Sequence, residues 1–333
     1  MKNKLKLAIA GVFIALSATN YAAAQSTLLN VSYDVAREFY KDYNAAFIAN
    51  YKKTTGKDIK IDQAHGGSSA QARAVNDGLE ADVVTMNTTT DIDFLASTGV
   101  VAKDWAKRFP GNASPTSSTM LFLTRNGNPK NIKDWDDLVK PGIQVIVVNP
   151  KTGGNGRMAY LAAWGYVRKK GGTDAQAAEF VAKLYKNVPV LAKGGRDATT
   201  IFLQRNIGDV LVTFESEVVS VDREFGAGKV DAIHPSISIV AENPVAVVER
   251  TVAKKGTTEL AKAYLNYLYS DEAQEIAAQH ALRPRSPAIL KKYASTFKPI
   301  QLFTVNEYFG SFAEAQKVHF NDGGQFDKLY TVK

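Results

Sequence analysis

Short apolar runs alternate with amphipathic segments along most of the chain. Leu28 to Ser32 has the pattern of a strand, and Val35 to Thr55 places aromatic side chains at fourfold spacing, which predicts a helix. The alternation continues through the strand Ile59 to Ile61, the helix Ser69 to Gly78, the strand Ala81 to Thr85 and the helix Asp91 to Ser97. A βαβα order predicts parallel sheets covered by helices. Ligands of such sheets bind beyond the carboxyl ends of the strands.

The later part of the chain repeats the pattern and predicts a second lobe. The segments Thr119 to Arg125 and Ile143 to Val148 predict strands, Met158 to Lys169 predicts a helix, and Glu259 to His280 is the strongest late helix pattern. No low-complexity linker or internal repeat separates the halves. We therefore expect two interlaced α/β lobes with a ligand cleft between them. Lobe I is predicted at residues 25–117 and 241–295, and lobe II at residues 118–240 and 296–333.

Three glycine-containing turns follow predicted strands and precede predicted helices. They are the segments Asn149 to Arg157, His65 to Ser69 and Gly194 to Asp197. A strand that ends in glycines and opens a helix presents unpaired backbone N–H groups, which is how proteins hold anions. If these turns meet in space, they form a site that surrounds a small oxyanion with neutral donors.

Residues 1–24 have the pattern of a secretory signal peptide. Three lysines precede the apolar run Leu7 to Leu16, and the small residues Ala22 to Ala24 form a cleavage site. The run is shorter than the roughly 20 residues of a spanning helix, and no cysteine follows it to carry a lipid anchor. We expect a free protein of the periplasm. Because this segment contains three lysines and no acid, its removal lowers the net charge from +8 to +5.

The composition argues against several other classes of function. The chain has no cysteine, which excludes a disulfide framework, a thiolate metal site and a persulfide sulfurtransferase. Its four histidines show no metal-ligand spacing, and the sequence lacks Gly-x-Ser-x-Gly, Walker A and Gly-x-Gly-x-x-Gly motifs. The basic residues are dispersed, which argues against nucleic-acid binding. We predict a binding protein with no cofactor and no metal, and not an enzyme.

The most specific signal comes from six segments spread along the chain, namely Asn30 to Asp34, His65 to Ser68, Glu80 to Thr85, Arg125 to Lys130, Tyr160 to Gly165 and Gly208 to Leu211. They closely resemble the periplasmic sulfate- and thiosulfate-binding proteins, which are solute-binding components of ABC importers. Ser118 to Met120 and Phe214 to Val218 are more similar to the thiosulfate-binding branch. The resemblance implies the type II periplasmic-binding-protein fold and capture of sulfate or thiosulfate. A protein of the same fold for molybdate, phosphate or a sulfonate is the alternative.

The resemblance also implies which residues hold the anion. In that family the dianion is buried without a counter-ion and is held mainly by backbone N–H groups at helix starts. The matching positions are Ser68, Gly153, Gly154, Asn155 and Gly195. Sulfate and thiosulfate are fully ionised at neutral pH, whereas phosphate and arsenate keep a proton that finds no acceptor among donors. We therefore expect protonated anions to be rejected.

Two positions depart from the sulfate-only relatives. Gly153, after Thr152, stands where they carry a donating serine, and Phe214 stands where they carry a donating tryptophan. Each lost donor to a charged ligand costs roughly 1.5 to 3 kcal/mol if nothing replaces it, but a phenyl face packs against polarizable sulfur. The hypothesis is that thiosulfate binds at least as well as sulfate, with Phe214 near its terminal sulfur and Asn155 or Thr152 as the compensating donor. Plain core packing of Phe214 is the alternative.

Supporting roles are predicted for residues next to the turns. Asp34 ends the first strand, where a carboxylate caps backbone N–H groups and braces the site, and Ser69 lies where a helix N-cap is expected. Arg157 and Arg196 align with arginines behind the glycine turns and are expected to pair with carboxylates such as Asp34. The expected partners are ABC permease subunits in the inner membrane. A monomer is expected, because no exposed heptad or apolar run suggests an interface.

Overall fold

The computed structural model describes residues 26–330, so the predicted signal peptide lies outside the described residues. The strands are β1 Ser26–Tyr33, β2 Ile59–Gly66, β3 Val83–Thr85, β4 Thr116–Ser118, β5 Met120–Arg125, β6 Val145–Val148, β7 Leu191–Ala192, β8 Val210–Phe214, β9 Val230–Ile233, β10 Ile237–Ile239, β11 Ala241–Asn243, β12 Val245–Val247, β13 Arg283–Pro284 and β14 Gln301–Phe303.

Helices follow most of the strands. They are α1 Arg37–Thr55, α2 Ser68–Asn76, α3 Thr89–Ser97, α4 Pro110–Ala113, α5 Trp135–Leu138, α6 Gly154–Lys169, α7 Asp174–Lys186, α8 Gly195–Leu203, α9 Ser216–Phe225, α10 Glu249–Lys255, α11 Thr258–Tyr267, α12 Asp271–Gln279, α13 Pro287–Lys292, α14 Val305–Phe309, α15 Phe312–Ala315 and α16 Gln325–Leu329. Within residues 26–330, no helix has both the length and the apolar character needed to cross a membrane.

Two sheets form the centres of two lobes. The four-stranded sheet has the order β12-β3-β1-β2, and we call it and its helices the first lobe. The five-stranded sheet has the order β7-β6-β8-β5-β9 and defines the second lobe. The predicted parallel pairing holds for β1 with β2 and β3, and for β6 with β7 and β8. Strands β5 and β12 instead pair antiparallel with their neighbours, so both sheets are mixed.

The chain passes between the lobes through a small antiparallel sheet of order β11-β4-β13. Strand β4 leads into β5 of the second lobe, and β11 leads into β12 of the first lobe. This arrangement interlaces the lobes, because β12 completes the sheet of the first lobe although it follows every strand of the five-stranded sheet in sequence. The lobe boundaries given above stay a prediction.

Two helices differ from the sequence-based expectation in ways that matter. Helix α6 begins at Gly154, four residues before the predicted Met158, so the glycine turn itself forms the first turn of the helix. The predicted single helix from Glu259 to His280 is wrong, because α11 ends at Tyr267 and α12 begins at Asp271. Ser270 causes this break, since its side chain accepts a hydrogen bond from the Ala273 N–H as an N-cap.

The core packs around helices that carry the expected apolar faces. Phe39, Tyr43 and Phe47 of α1 are buried, as their fourfold spacing predicts, and Tyr264 packs edge-on against Tyr43 and Phe47. Helix α6 is buried at every position from Gly154 to Tyr166. A helix enclosed on all sides holds its N-terminus in a fixed place, and that N-terminus is part of the site described next.

Candidate functional site

Three helices each begin just after the carboxyl end of a strand. Helix α2 follows β2 in the first lobe, and helices α6 and α8 follow β6 and β7 in the second lobe. Their N-caps are the glycines Gly67, Gly153 and Gly194, which provide no side-chain cap. The first N–H groups of a helix have no partner within the helix. Each of these ends therefore presents backbone donors together with the positive end of the helix dipole.

The three glycine turns touch one another across the cleft. A Cβ atom added to Gly67 would lie 3.0 Å from the Thr152 carbonyl oxygen and 3.3 Å from the Lys193 carbonyl oxygen. A Cβ atom added to Gly194 would lie 3.8 Å from the Gly67 Cα atom. Only residues without a side chain allow the backbones to approach this closely. The structure thus brings together the three turns that the sequence singled out, in a closed arrangement of the lobes.

The first-lobe donor Ser68 is the first residue of α2 and is 1% exposed. Its hydroxyl donates to the Asp91 carboxylate and also lies 3.6 Å from the Met86 sulfur. The hydroxyl proton is therefore engaged inside the first lobe. The backbone N–H of Ser68 is the group that the helix start leaves for an anion.

Gly154 brings into the site a residue that the sequence analysis missed. A Cβ atom at Gly154 would lie 1.9 Å from Asn87 Oδ1 and 2.8 Å from Thr88 Cγ2, both in the first lobe. Asn87 is 3% exposed, and its Oδ1 atom accepts no hydrogen bond from any residue in the range 26–330. The available signal was its position just after β3, where the carboxyl end of a parallel strand meets the cleft.

Asn155 is the second residue of α6 and is 4% exposed. Its Nδ2 atom donates to Thr213 Oγ1 at 3.1 Å and lies 3.5 Å from the Cβ position of Gly195. Its Oδ1 atom has no hydrogen-bond partner among the described residues. The Asn155 amide thus lies between the starts of α6 and α8, next to two of the predicted backbone donors.

Phe214 and Thr152 occupy different surroundings. Phe214 ends β8, is 1% exposed and has its ring 6.5 Å from the Tyr33 ring in an edge-on arrangement. The Thr152 hydroxyl donates to the carbonyl oxygens of Asn149 at 3.2 Å and Lys193 at 3.1 Å. This hydroxyl joins two turns of the second lobe. Of the two compensating donors predicted, Asn155 has the more suitable position.

Asp34 connects the lobes through backbone donors. Its Oδ1 atom accepts from the Val35 N–H at 3.0 Å, and its Oδ2 atom accepts from the Arg196 N–H at 3.0 Å. Arg196 lies in the first turn of α8, so a carboxylate of the first lobe caps a helix of the second. Burial raises the pKa of Asp34, although these two N–H groups and the Arg196 charge oppose the rise.

Arg157 forms a buried ion pair between the lobes. Its Nη2 atom lies 3.0 Å from Asp91 Oδ1, and the two side chains are 6% and 5% exposed. The same guanidinium donates to Thr90 Oγ1 at 2.5 Å and to the Ser69 hydroxyl. Arg157 belongs to α6 in the second lobe, whereas its partners belong to the first. Arg157 therefore pairs with a carboxylate, as expected, but the carboxylate is that of Asp91 and not that of Asp34.

The side chain of Arg196 does not pair with Asp34 as expected. It contacts Glu224 and lies 3.8 Å from Glu217 Oε1, because it projects from α8 towards α9 while its backbone N–H faces Asp34. Glu217 is fully buried, and burial raises its pKa to about 7. Thr199 donates to Glu217 Oε2, but Oε1 has no hydrogen-bond partner in the described part of the chain.

The chemistry of this arrangement is that of anion binding. It combines backbone donors and side-chain amides, while both nearby arginines are engaged by carboxylates. Between residues 26 and 330 there is no group of three or more metal-ligating side chains placed to hold an ion.

Comparison with known proteins gives a consistent family. The family model of the bacterial extracellular solute-binding proteins matches residues 33–283. The chain is 54% identical over 332 residues to a thiosulfate-binding protein of Pseudomonas aeruginosa, covering 99% of each chain. It is 50% identical over 320 residues to a sulfate-binding protein of Escherichia coli, covering 96% of this chain and 97% of that one. The solved structure of a sulfate-binding protein of Mycobacterium tuberculosis superposes with a TM-score of 0.81 at 32% identity. The match covers 88% of this chain and 99% of that one.

Proposed function

Since the chain belongs to the bacterial extracellular solute-binding proteins and has their type II fold, we propose that it captures sulfate or thiosulfate between its lobes for an ABC importer. The observation that carries the proposal is the meeting of three glycine-capped helix starts, from both lobes, at one point. Full-length similarity to relatives named for these two anions supports it. The alternative ligands molybdate, phosphate and sulfonates have no comparable support.

The physical basis is a dense set of neutral donors in an enclosed site. Hydrogen bonds to an ionised acceptor each contribute roughly 1.5 to 3 kcal/mol, and exclusion of water strengthens them. Backbone N–H groups at helix starts are held in place by the fold, so ordering these donors adds little to the cost of binding. A dianion uses every such donor, whereas the proton of a protonated anion requires an acceptor.

The same proposal covers location and partners. The protein acts in the periplasm as a monomer, and its closed form docks on permease subunits of the inner membrane. In this proposal it performs no catalysis itself, and the importer's ATPase supplies the energy, because the sequence holds no nucleotide-binding motif. Closure of two lobes around a ligand is the hinge motion that makes the loaded form recognisable to such a partner.

The first test is isothermal titration of the mature protein, stripped of bound anion, in a chloride buffer. Sulfate, thiosulfate, phosphate and molybdate are titrated separately. We expect one-to-one binding of the two sulfur oxyanions and no heat from phosphate. Absence of binding by both sulfur oxyanions, or preference for a protonated anion, would overturn the proposal.

The proposed place of Phe214 near the terminal sulfur of thiosulfate has its own test. Phe214→Trp adds an indole N–H, which donates to an oxygen better than to sulfur. We expect the ratio of sulfate to thiosulfate affinity to rise about 10-fold, the equivalent of one donor to a charged ligand. An unchanged ratio would assign Phe214 to core packing against Tyr33.

A further inference from the structure

A groove crosses the junction of the two lobes beside the turn that precedes α6, and we call it the interlobe groove. Its volume is about 330 Å³. Helices α2 and α3 of the first lobe form one wall through Ala72, Arg73 and Phe94. Lys151 of the turn and the segment Gln316–Phe320 form the other wall. The groove lies next to the anion site, but none of the predicted anion donors lines it.

The segment Gln316–Phe320 is a single-turn π-helix that belongs to the second lobe. His319 Nδ1 lies 3.1 Å from the hydroxyl of Tyr160 in α6, and the Phe320 ring lies 5.1 Å from the Tyr160 ring. Helix α15, which precedes this segment, contacts α3 of the first lobe. Because each lobe supplies one wall, separation of the lobes takes the interlobe groove apart.

The groove is flanked by apolar side chains that the fold leaves exposed. Within residues 26–330, three large apolar side chains are exposed, namely Phe94, Val318 and Leu290. Phe94 lines the first-lobe wall, and Val318 belongs to the π-helix of the opposite wall. Single exposed apolar residues are ordinary, but two of them on facing walls are typical of an interaction site.

The charges of the groove leave one cation without a partner. Lys151 lies 2.9 Å from Asp327 Oδ2, and Arg157 pairs with the buried Asp91. Arg73 is exposed and forms no ion pair or hydrogen bond with any side chain in the described part of the chain. A guanidinium in this position suits a carboxylate from another molecule, because its planar set of donors matches the two carboxylate oxygens.

We propose that the interlobe groove is the docking site for a periplasmic loop of the permease, and that this loop carries an apolar side chain next to a carboxylate. The apolar side chain packs against Phe94, and the carboxylate pairs with Arg73. The inference rests on the proposed function, since it names the surface by which the importer recognises the loaded protein.

The position of the groove explains how such a partner selects the loaded form. A partner that contacts both walls binds the closed form better than the open one, and only a difference of this kind shifts the balance between two forms. The open protein presents half of the site. Burial of an apolar anchor supplies most of the affinity of such a contact, while a charge pair at the rim mainly sets orientation and the rate of association.

The test uses the permease and ATPase subunits of the same bacterium, reconstituted in proteoliposomes, with the purified mature protein added outside. Uptake of radiolabelled sulfate and thiosulfate is measured against the concentration of the loaded protein. Phe94→Ser and Arg73→Glu are each expected to raise the concentration that gives half-maximal uptake about 10-fold. Anion affinity, measured by isothermal titration, is expected to stay at the wild-type value, because neither residue belongs to the anion site.

The matched controls are Leu290→Ser and Arg205→Glu. Leu290 is the third exposed apolar residue and lies in α13, and Arg205 is an exposed arginine that follows α8. Neither lines the interlobe groove. Both variants are expected to support uptake as the wild type does.

Several results would overturn the inference while leaving anion binding intact. They are wild-type uptake by Phe94→Ser and Arg73→Glu, an equal loss in the control variants, or a fall in anion affinity as large as the loss of uptake, which would assign both residues to closure. A second bound sulfate that Arg73→Glu abolishes would make the groove an anion site instead, and a dimer that Phe94→Ser abolishes would make it a contact between two copies. A wild type that binds neither anion would overturn the proposed function itself.

Discussion

The two walls of the cleft have different roles. The second lobe contributes two glycine-capped helix starts, α6 and α8, and the Thr152 hydroxyl ties their turns together. The first lobe contributes one helix start, α2, together with the carboxylates of Asp34 and Asp91, which accept hydrogen bonds from Arg196 and Arg157 of the opposite wall. The second wall is therefore richer in donors, while the first wall supplies the acidic groups that hold the walls together.

Because of this difference, the residues that contact the anion can be changed separately from the residues that hold the lobes closed. Changes in the donors of the second wall act on the anion contacts directly. Changes at the interlobe contacts act on the balance between open and closed forms, which enters the apparent affinity as the fraction of competent molecules. Variants of the two kinds distinguish these contributions.

The largest expected effect is from Gly154→Ala. The new methyl group would overlap Asn87 Oδ1 and Thr88 Cγ2 of the first wall, and both of these residues are buried. We expect the protein to fold but to lose about 100-fold in sulfate and thiosulfate affinity, because overpacking of this kind costs up to about 3 kcal/mol. Titration calorimetry measures the loss, and small-angle scattering with saturating anion measures closure.

The matched control is Gly153→Ala, one residue earlier. Its methyl group would meet Val148 Cγ1 at 3.0 Å and the Lys193 carbonyl oxygen at 4.0 Å, both in the same lobe, so closure is expected to be preserved. Equal loss of affinity in both variants would show that the loss in Gly154→Ala does not come from its contact with the first wall.

The next effect is from Arg157→Met. It leaves Asp91 buried in the closed form without its cation, which costs about 3 to 5 kcal/mol where one partner of a buried pair is removed. Because the open form exposes Asp91 to water, most of this cost opposes closure, and we expect anion affinity to fall about 100-fold. The double variant Asp91→Asn with Arg157→Met is expected to recover part of the loss. If the double variant loses as much binding free energy as the two single variants together, the result would contradict a direct contact between these residues.

A smaller effect concerns the acid behind α8. The folded-state pKa of Glu217 is raised from 4.5 to about 7, so between these values the folded protein holds a proton that the unfolded chain releases. Wild-type stability therefore falls as pH rises from 4.5 through 7. Glu217→Gln removes this loss, and we expect it to be more stable by about 3 kcal/mol at pH 8, with little difference near pH 4.5.

Urea unfolding at pH 5 and pH 8 measures the Glu217→Gln effect. The exposed Glu259→Gln is the control and is expected to show no such pH-dependent gain. A Glu217→Gln protein that is less stable than the wild type at pH 8 would mean that attraction to Arg196 outweighs the cost of burying the charge.

The position of the site was predictable because glycines mark it locally. The segments around Gly67, Gly153 and Gly194 each follow an apolar run and precede a helix, and such a pattern needs no knowledge of distant residues. The late start predicted for α6 has a physical origin, since glycine lowers helix propensity. Close packing of Gly156 against the Val148 carbonyl fixes glycine inside the helix at that point.

The residues that complete the site were not predictable in the same way. Asn87, Asp91 and Thr213 reach the glycine turns of other segments through the tertiary fold. The position of Asn87 just after β3 indicates the cleft, but nothing next to these residues in sequence indicates which partners they contact. The break between α11 and α12 was predictable in principle, because Ser270 followed by two acids is an N-cap pattern. The prediction of one helix followed the apolar periodicity from Glu259 to His280 and gave too little weight to the N-cap pattern at Ser270.

The contact of Gly67 with the turns of the second lobe determines how an enclosed anion leaves. Because the backbones of opposite lobes lie against each other there, an anion beneath them has no route outward until the lobes separate. Its residence time then follows the rate of hinge opening rather than the number of donors around it. Under the proposed function, a permease that pulls the lobes apart would release the anion without weakening a single hydrogen-bond donor.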